Sequence, residues 1–196
     1  MNIVKLFRAS TLVLAATLVA ATASAQTTNW KIDPAHSGVE FKVRHLAVSN
    51  VRGTLTIAKG VVHLDEKDIT KSSVEATIDA NSVDTHTAAR DTHLKSADFF
   101  NVAQYPTLEF KSTALSKSGG DLILKGDLTL AGVTKPVTLT VDGPAPPQTD
   151  AKGTTRSGFS ATGTLHRSDF NFGSKFPSAV IGDDVKFTID AEAAKQ

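Results

Sequence analysis

The sequence predicts an all-β protein: an extended, eight-stranded, antiparallel up-and-down barrel with one short helical insert. Three observations lead there. Apolar residues recur at every second position in eight separate runs, the period of strands that bury one face. The breaks between runs are rich in Gly, Asp and Pro, as expected where neighbouring antiparallel strands turn. A flat sheet of so many strands would leave two long unpaired edges, and closure into a barrel removes them.

Residues 1–25 read as a signal peptide and stand outside the fold. Lys5 and Arg8 make a basic start, Leu12 to Ala21 an apolar run, and Ala23-Ser24-Ala25 a small-residue cleavage site. The run is short for a membrane span, and no cysteine follows it to carry a lipid. The expected domain is 26–196, long enough for one sizeable core. Losing Lys5 and Arg8 and no acid lowers the formal charge of +1 by two, which gives no global pull toward nucleic acid or anionic membranes. With no cysteine, stability must come from burial and hydrogen bonding.

Trp30 and Ile32 open the domain, and Asp33-Pro34 marks a turn. The first strand places Val39, Phe41, Val43 and His45 on one face and Glu40, Lys42 and Arg44 on the other. At about 11 residues, about 3.3 Å per residue and a tilt of about 40°, it implies a barrel about 28 Å long. A second strand carries Val51, Gly53, Leu55 and Ile57 to Gly60, with a restart at Val61 to His63. The third carries Val74, Ala76, Ile78 and Ala80. From Asn81 to Tyr105 the period breaks: Ala89, His93, Ala97 and Phe100 are spaced for one or two short helices, with Ser96 as a helix cap. Strands return at Leu108 to Leu115, in a hairpin over Gly119 to Asp142, at Gly158 to His166, and at Val185 to Ala191. Within the hairpin, Leu122, Leu124, Leu128 and Leu130 alternate before a break at Ala131 to Lys135, and Val137, Leu139 and Val141 after it. Alternation would also suit an outer-membrane barrel, but one Trp and one Tyr make no aromatic girdle.

Two constellations carry candidate chemistry. An apolar tube would be lined by Val39, Phe41, Val43 and His45, by Val74, Ala76 and Ile78, and by Phe110, Leu128 and Leu139. These side chains would either meet as a dry core or surround one slim ligand. Small residues on the same faces, Gly53, Ala76, Ala80, Ala114 and Gly126, favour an open bore. The second constellation is Asp84, His86, Arg90, Asp91 and His93 on the insert, whose imidazoles and carboxylates would suit zinc and a metal-dependent hydrolase. Its spacing matches no ligand pattern, and His86 and His93 stand two helical turns apart, so a solvated helix face is the competing interpretation. No nucleophile elbow, phosphate-binding glycine loop or basic aromatic patch is present.

Several motifs resemble the YceI-like family. They are Trp30 to Leu46 (WKIDPAHSGVEFKVRHL), Asp91 to Phe100 (DTHLKSADFF), Tyr105-Pro106, and Gly126 to Pro136 (GDLTLAGVTKP). The resemblance spans nearly the whole domain and is weakest at Asn171 to Phe176, which is richer in Phe. It implies a lipocalin-like barrel in the periplasm that binds, transports or stores a long isoprenoid lipid, polyprenyl or quinone in type. It also implies Arg44, Arg90 and His93 as headgroup or rim residues, with Arg44 reaching the ligand only from the mouth. A carrier of another apolar amphiphile, such as a fatty acid or amide, stays open beside it. No catalytic residue, cofactor, metal, nucleic acid or stable membrane insertion is expected, and a homodimer is compatible with this interpretation.

Overall fold

The computed structural model describes residues 27–196; the expected signal peptide at 1–25 lies outside the described residues. The strands are β1 (Thr27–Ile32), β2 (Gly38–His45), β3 (Ser49–Asp65), β4 (Ser73–Asp84), β5 (Thr107–Ser118), β6 (Asp121–Leu130), β7 (Val133–Asp142), β8 (Gln148–Thr149), β9 (Thr155–His166) and β10 (Ile181–Lys195). One α-helix, α1 (Ala88–Lys95), lies between β4 and β5. Every pairing is antiparallel, and β10 pairs with both β9 and β2, so the sheet closes on itself.

Ten strands make a ring of eight: β2, β3, β4, β5, β6, β7, β9 and β10. The two additions are local. Strand β2 is short and covers only one end of β3, from His45↔Ser49 to Gly38↔Thr56. Beyond the turn at Pro34–His36, β1 takes over the same slot, with Lys31 against Val61 and Ala194. The two-residue β8 is a flap on β9 within the proline-rich loop. Sequence alternation missed β1 because it buries only Trp30 and Ile32. Strand β3 continues through Gly60, where a restart was expected, past a register shift between Ile57 and Lys59; glycine is needed there because a Cβ would come within 2.6 Å of Ile32.

The turns explain the hairpins. Ala131 and Gly132 both have positive φ, the signature of a two-residue turn matched to strand twist, and so do Gly119 and Gly120. The break expected over Ala131 to Lys135 is therefore two residues long. The insert holds one helix, and Ser96 terminates it by donating its N–H to the His93 carbonyl; Thr87 stands at the start. The chain then folds back through Phe99 and Phe100, both buried.

Register assigns each loop to one of two ends. His45↔Ile181 and His166↔Asp184 put the 46–48 turn, the insert and the 167–180 segment at one end, the mouth. Strand β1, the 66–72 loop and the 143–154 loop lie at the other.

Candidate functional site

The barrel is hollow at the mouth end. A cavity of about 380 Å³ runs into the lumen, within the usual range of ligand sites. All eight ring strands line it, among them Val39, Phe41 and Val43 from β2, Ile78 from β4, and Phe110 from β5. Leu128 from β6, Leu139 from β7 and Phe187 from β10 complete the circuit. Val74 and Ala76 are not on its wall: Val74 packs against Leu124, Leu139 and Ala161, and Ala76 pairs with Gly60 and Phe110. Toward the far end, Trp30, Ile32 and Ala193 are buried in packed core.

Three glycines set the bore, though not by leaving gaps. A Cβ at Gly53 would lie 2.5 Å from the Phe41 ring, one at Gly126 2.4 Å from the Phe110 ring, and one at Gly163 2.5 Å from the Phe187 ring. Each phenylalanine places its ring over a glycine of the neighbouring strand, an aromatic cover for residues that would otherwise weaken the sheet. Because the space each ring takes up is that of a missing Cβ, the lumen beside it stays open, and these three inward phenylalanines remain only partly buried.

The mouth is aromatic and cationic. Phe99 stacks on Phe176 at 5.5 Å, while His93 meets both edge-on at 5.1 and 5.7 Å. Phe172 meets Phe99 and Phe100 edge-on. Gly173, at positive φ, sits where a Cβ would fall 2.5 Å from Phe99, so the Phe-rich segment closes onto the insert. Arg44, His45, Arg90, His93 and Arg167 also line the cavity. Arg44 donates from Nε and Nη2 to the Ala47 carbonyl at 3.1 and 2.8 Å, so its base is held at the rim. Arg90 is held by the Thr85 hydroxyl and carbonyl and the Thr87 hydroxyl. Asp91 receives the Thr85 hydroxyl and N–H, and that hydroxyl above all holds its carboxyl below the ordinary range.

Arg167 gave no signal in the sequence. It is 4% exposed, and its guanidinium donates to the carbonyls of Phe172, Gly173, Phe176, Ile181 and Gly182 at 2.6 to 3.3 Å. It thereby ties the whole 172–182 wall of the mouth to one side chain. The last strand followed from alternation, but its lining residue Phe187 and the aromatic pairs of the mouth did not, and a hub arginine has no periodicity at all.

The histidines and acids of the insert do not converge. His86 pairs with Asp84 at 3.5 Å and His93 with Asp98 at 3.2 Å, each with its own carboxylate. Among the described residues, ligand atoms cluster only at Asp33, His36 and Glu192, at the opposite end. There the Arg156 guanidinium already supplies the cation, 2.9 Å from Asp33 and 2.7 Å from Glu192.

Comparison with known proteins decides the family. The model of the YceI-like domain matches residues 30–193. The chain belongs to the YceI-like family. It is 40% identical over 183 residues to Protein YceI of Salmonella newport and of Escherichia coli, covering 92% of this chain and 94% of each relative. The crystal structure of a Campylobacter jejuni YCEI protein matches with a TM-score of 0.67 and 30% identity, over 78% of this chain and 90% of that one. A polyisoprenoid binding domain from Saccharophagus degradans shares the fold, with a TM-score of 0.59 at 16% identity, over 85% of this chain and 98% of its own. No helix among the described residues of this family member is long and apolar enough to cross a membrane.

Proposed function

We propose that this protein is a periplasmic carrier or store for one long isoprenoid lipid, with the tail in the barrel lumen and the head at the mouth. The observation that carries this is the hollow lumen: Phe41, Phe110 and Phe187 point inward yet face open space. In a filled core those rings would be buried. The family, the isoprenoid-binding domain of like fold and the sequence signature of export agree with it. Val39, Phe41, Val43, Ile78, Phe110, Leu128 and Leu139 would contact the tail, with Arg44, His45, Arg90 and His93 around the head.

Burial supplies ample drive. At about 0.8 kcal/mol per buried carbon, one five-carbon isoprene unit contributes about 3–4 kcal/mol, offset in part by ordering a flexible tail. Binding of this kind requires no catalysis.

Solvent extraction of the protein as purified, followed by mass spectrometry, is expected to yield one isoprenoid per chain, because such a ligand leaves slowly. If repeated preparations yield none, and added quinones or polyprenols leave the melting temperature unchanged, the carrier role fails. Strand parity sharpens the test. Val43→Asp puts a carboxylate on the cavity wall and is expected to lose the lipid, whereas Lys42→Asp, one residue away on the outer face, is expected to keep it.

A further inference from the structure

The polar groups of the cavity are one-sided. Arg44, His45, Arg90, His93 and Arg167 are its five polar lining residues; all are cationic or able to become so, and no carboxylate is among them. Three acids that pair with groups around this set are absent from the wall. Asp91 binds Thr85; Asp98 binds Lys175 at 2.5 Å and His93 at 3.2 Å; Asp183 binds Ser168. None forms an ion pair with Arg44, Arg90 or Arg167. Arg167 stands out because its N–H groups are taken up by carbonyls: Asp183 feels its charge but spends its own hydrogen bonds on Ser168, so no carboxylate touches the guanidinium. A buried charge that no carboxylate touches acts more strongly on whatever enters the low-dielectric space beside it than a surface charge would. Carbonyls solvate the guanidinium, but they leave the net charge in place.

We infer that the cavity selects an amphiphile whose headgroup is an anion, a phosphate or a carboxylate, over the same chain ending in a neutral hydroxyl. This rests on the lumen being the lipid site. Arg44 and Arg90 would meet the anion at the rim, where charge-assisted hydrogen bonds to guanidinium are strongest. Arg167 would act at a distance through its field, as a positioning residue of the mouth wall.

The test uses three probes with one tail, geranylgeranyl phosphate, geranylgeranic acid and geranylgeraniol, each displacing the neutral dye N-phenyl-1-naphthylamine from the purified protein at pH 8. A tenfold or larger advantage of either acid over the alcohol is the expected result, and the stronger of the two identifies the headgroup. In Arg44→Gln/Arg90→Gln that ratio is expected to fall toward one. If the alcohol binds as tightly as both acids, the inference is overturned while the lumen assignment survives. If none of the three displaces the dye, the lumen assignment falls as well. An advantage that persists undiminished in the double variant overturns the roles of Arg44 and Arg90 and leaves the field of Arg167 to account for it, which Arg167→Gln, checked for folding by circular dichroism, must then abolish.

Discussion

The two ends of the barrel each hold an arginine at an end of β9, and the protein treats them in opposite ways. At the closed end, Arg156 meets three carboxylates, Asp33, Asp150 and Glu192, at 2.7 to 3.3 Å, with His36 adding to Asp33 at 3.2 Å. This clamp joins the turn after β1, the loop before β9 and the last strand. At the mouth, Arg167 meets carbonyls alone. Paired charge makes a joint whose field is cancelled nearby. Carbonyl-solvated charge makes a joint too, yet leaves a positive field in the cavity beside it. The same residue type therefore closes one end and conditions the other.

The largest effect should come from Arg167→Met. It takes the buried Arg167 guanidinium away from five carbonyls, one of them on buried Gly173 and four on part-buried residues, and loss of one partner in a buried network costs about 3–5 kcal/mol. A fall in melting temperature of roughly 10 °C is expected, with hydrogen exchange rising first across 172–182. If Arg167→Met melts like wild type, the hub is decorative and the contrast between the ends is lost. Arg156→Gln should act less, because its network is a third exposed and solvent replaces part of what is removed. A drop of about 2–4 °C is expected, with lipid content unchanged; loss of lipid here would show that the two ends are not separate.

Acid gives the smallest and most diagnostic effect. His36, the Ala35 N–H and Arg156 hold the Asp33 carboxyl below its ordinary value. A depressed acid contributes stability above the unfolded-state pKa, about 3.9, and that contribution disappears as pH falls through the lower folded value. The slope of melting temperature against pH below about 4 should therefore be shallower in Asp33→Asn than in wild type. Equal slopes would remove Asp33 from the clamp.

Much of this barrel was legible in the sequence because strand period and inward face are the same signal. Val39, Phe41 and Val43 could be placed on the inner wall by counting in twos, and Leu128 and Leu139 likewise. What escaped was whatever lacks a period. Strand β1 buries two residues and reads as a leader to β2, although it completes the same slot in the ring. Gly53 and Gly126 were legible as small, but not as beds for Phe41 and Phe110, since that depends on cross-strand register. Val74 and Ala76 share the parity of Ile78, but parity does not report which inward side chains reach the open space, and neither of these is on its wall. Arg167 depends on carbonyls brought together by a loop, which no spacing encodes.

Closure of the ring has a consequence in time. Each ring strand pairs with its neighbour in chain order, apart from the small interruption by β8, until the last contact. That contact brings β10 back to β2, and its end is fastened by Ser37 and Glu192, 155 positions apart. Local hairpins form early because their loops are short, whereas this junction must close nearly the entire chain. A walled lumen therefore exists only after the final strand has docked, so capture of a ligand must be among the last events in the maturation of each molecule.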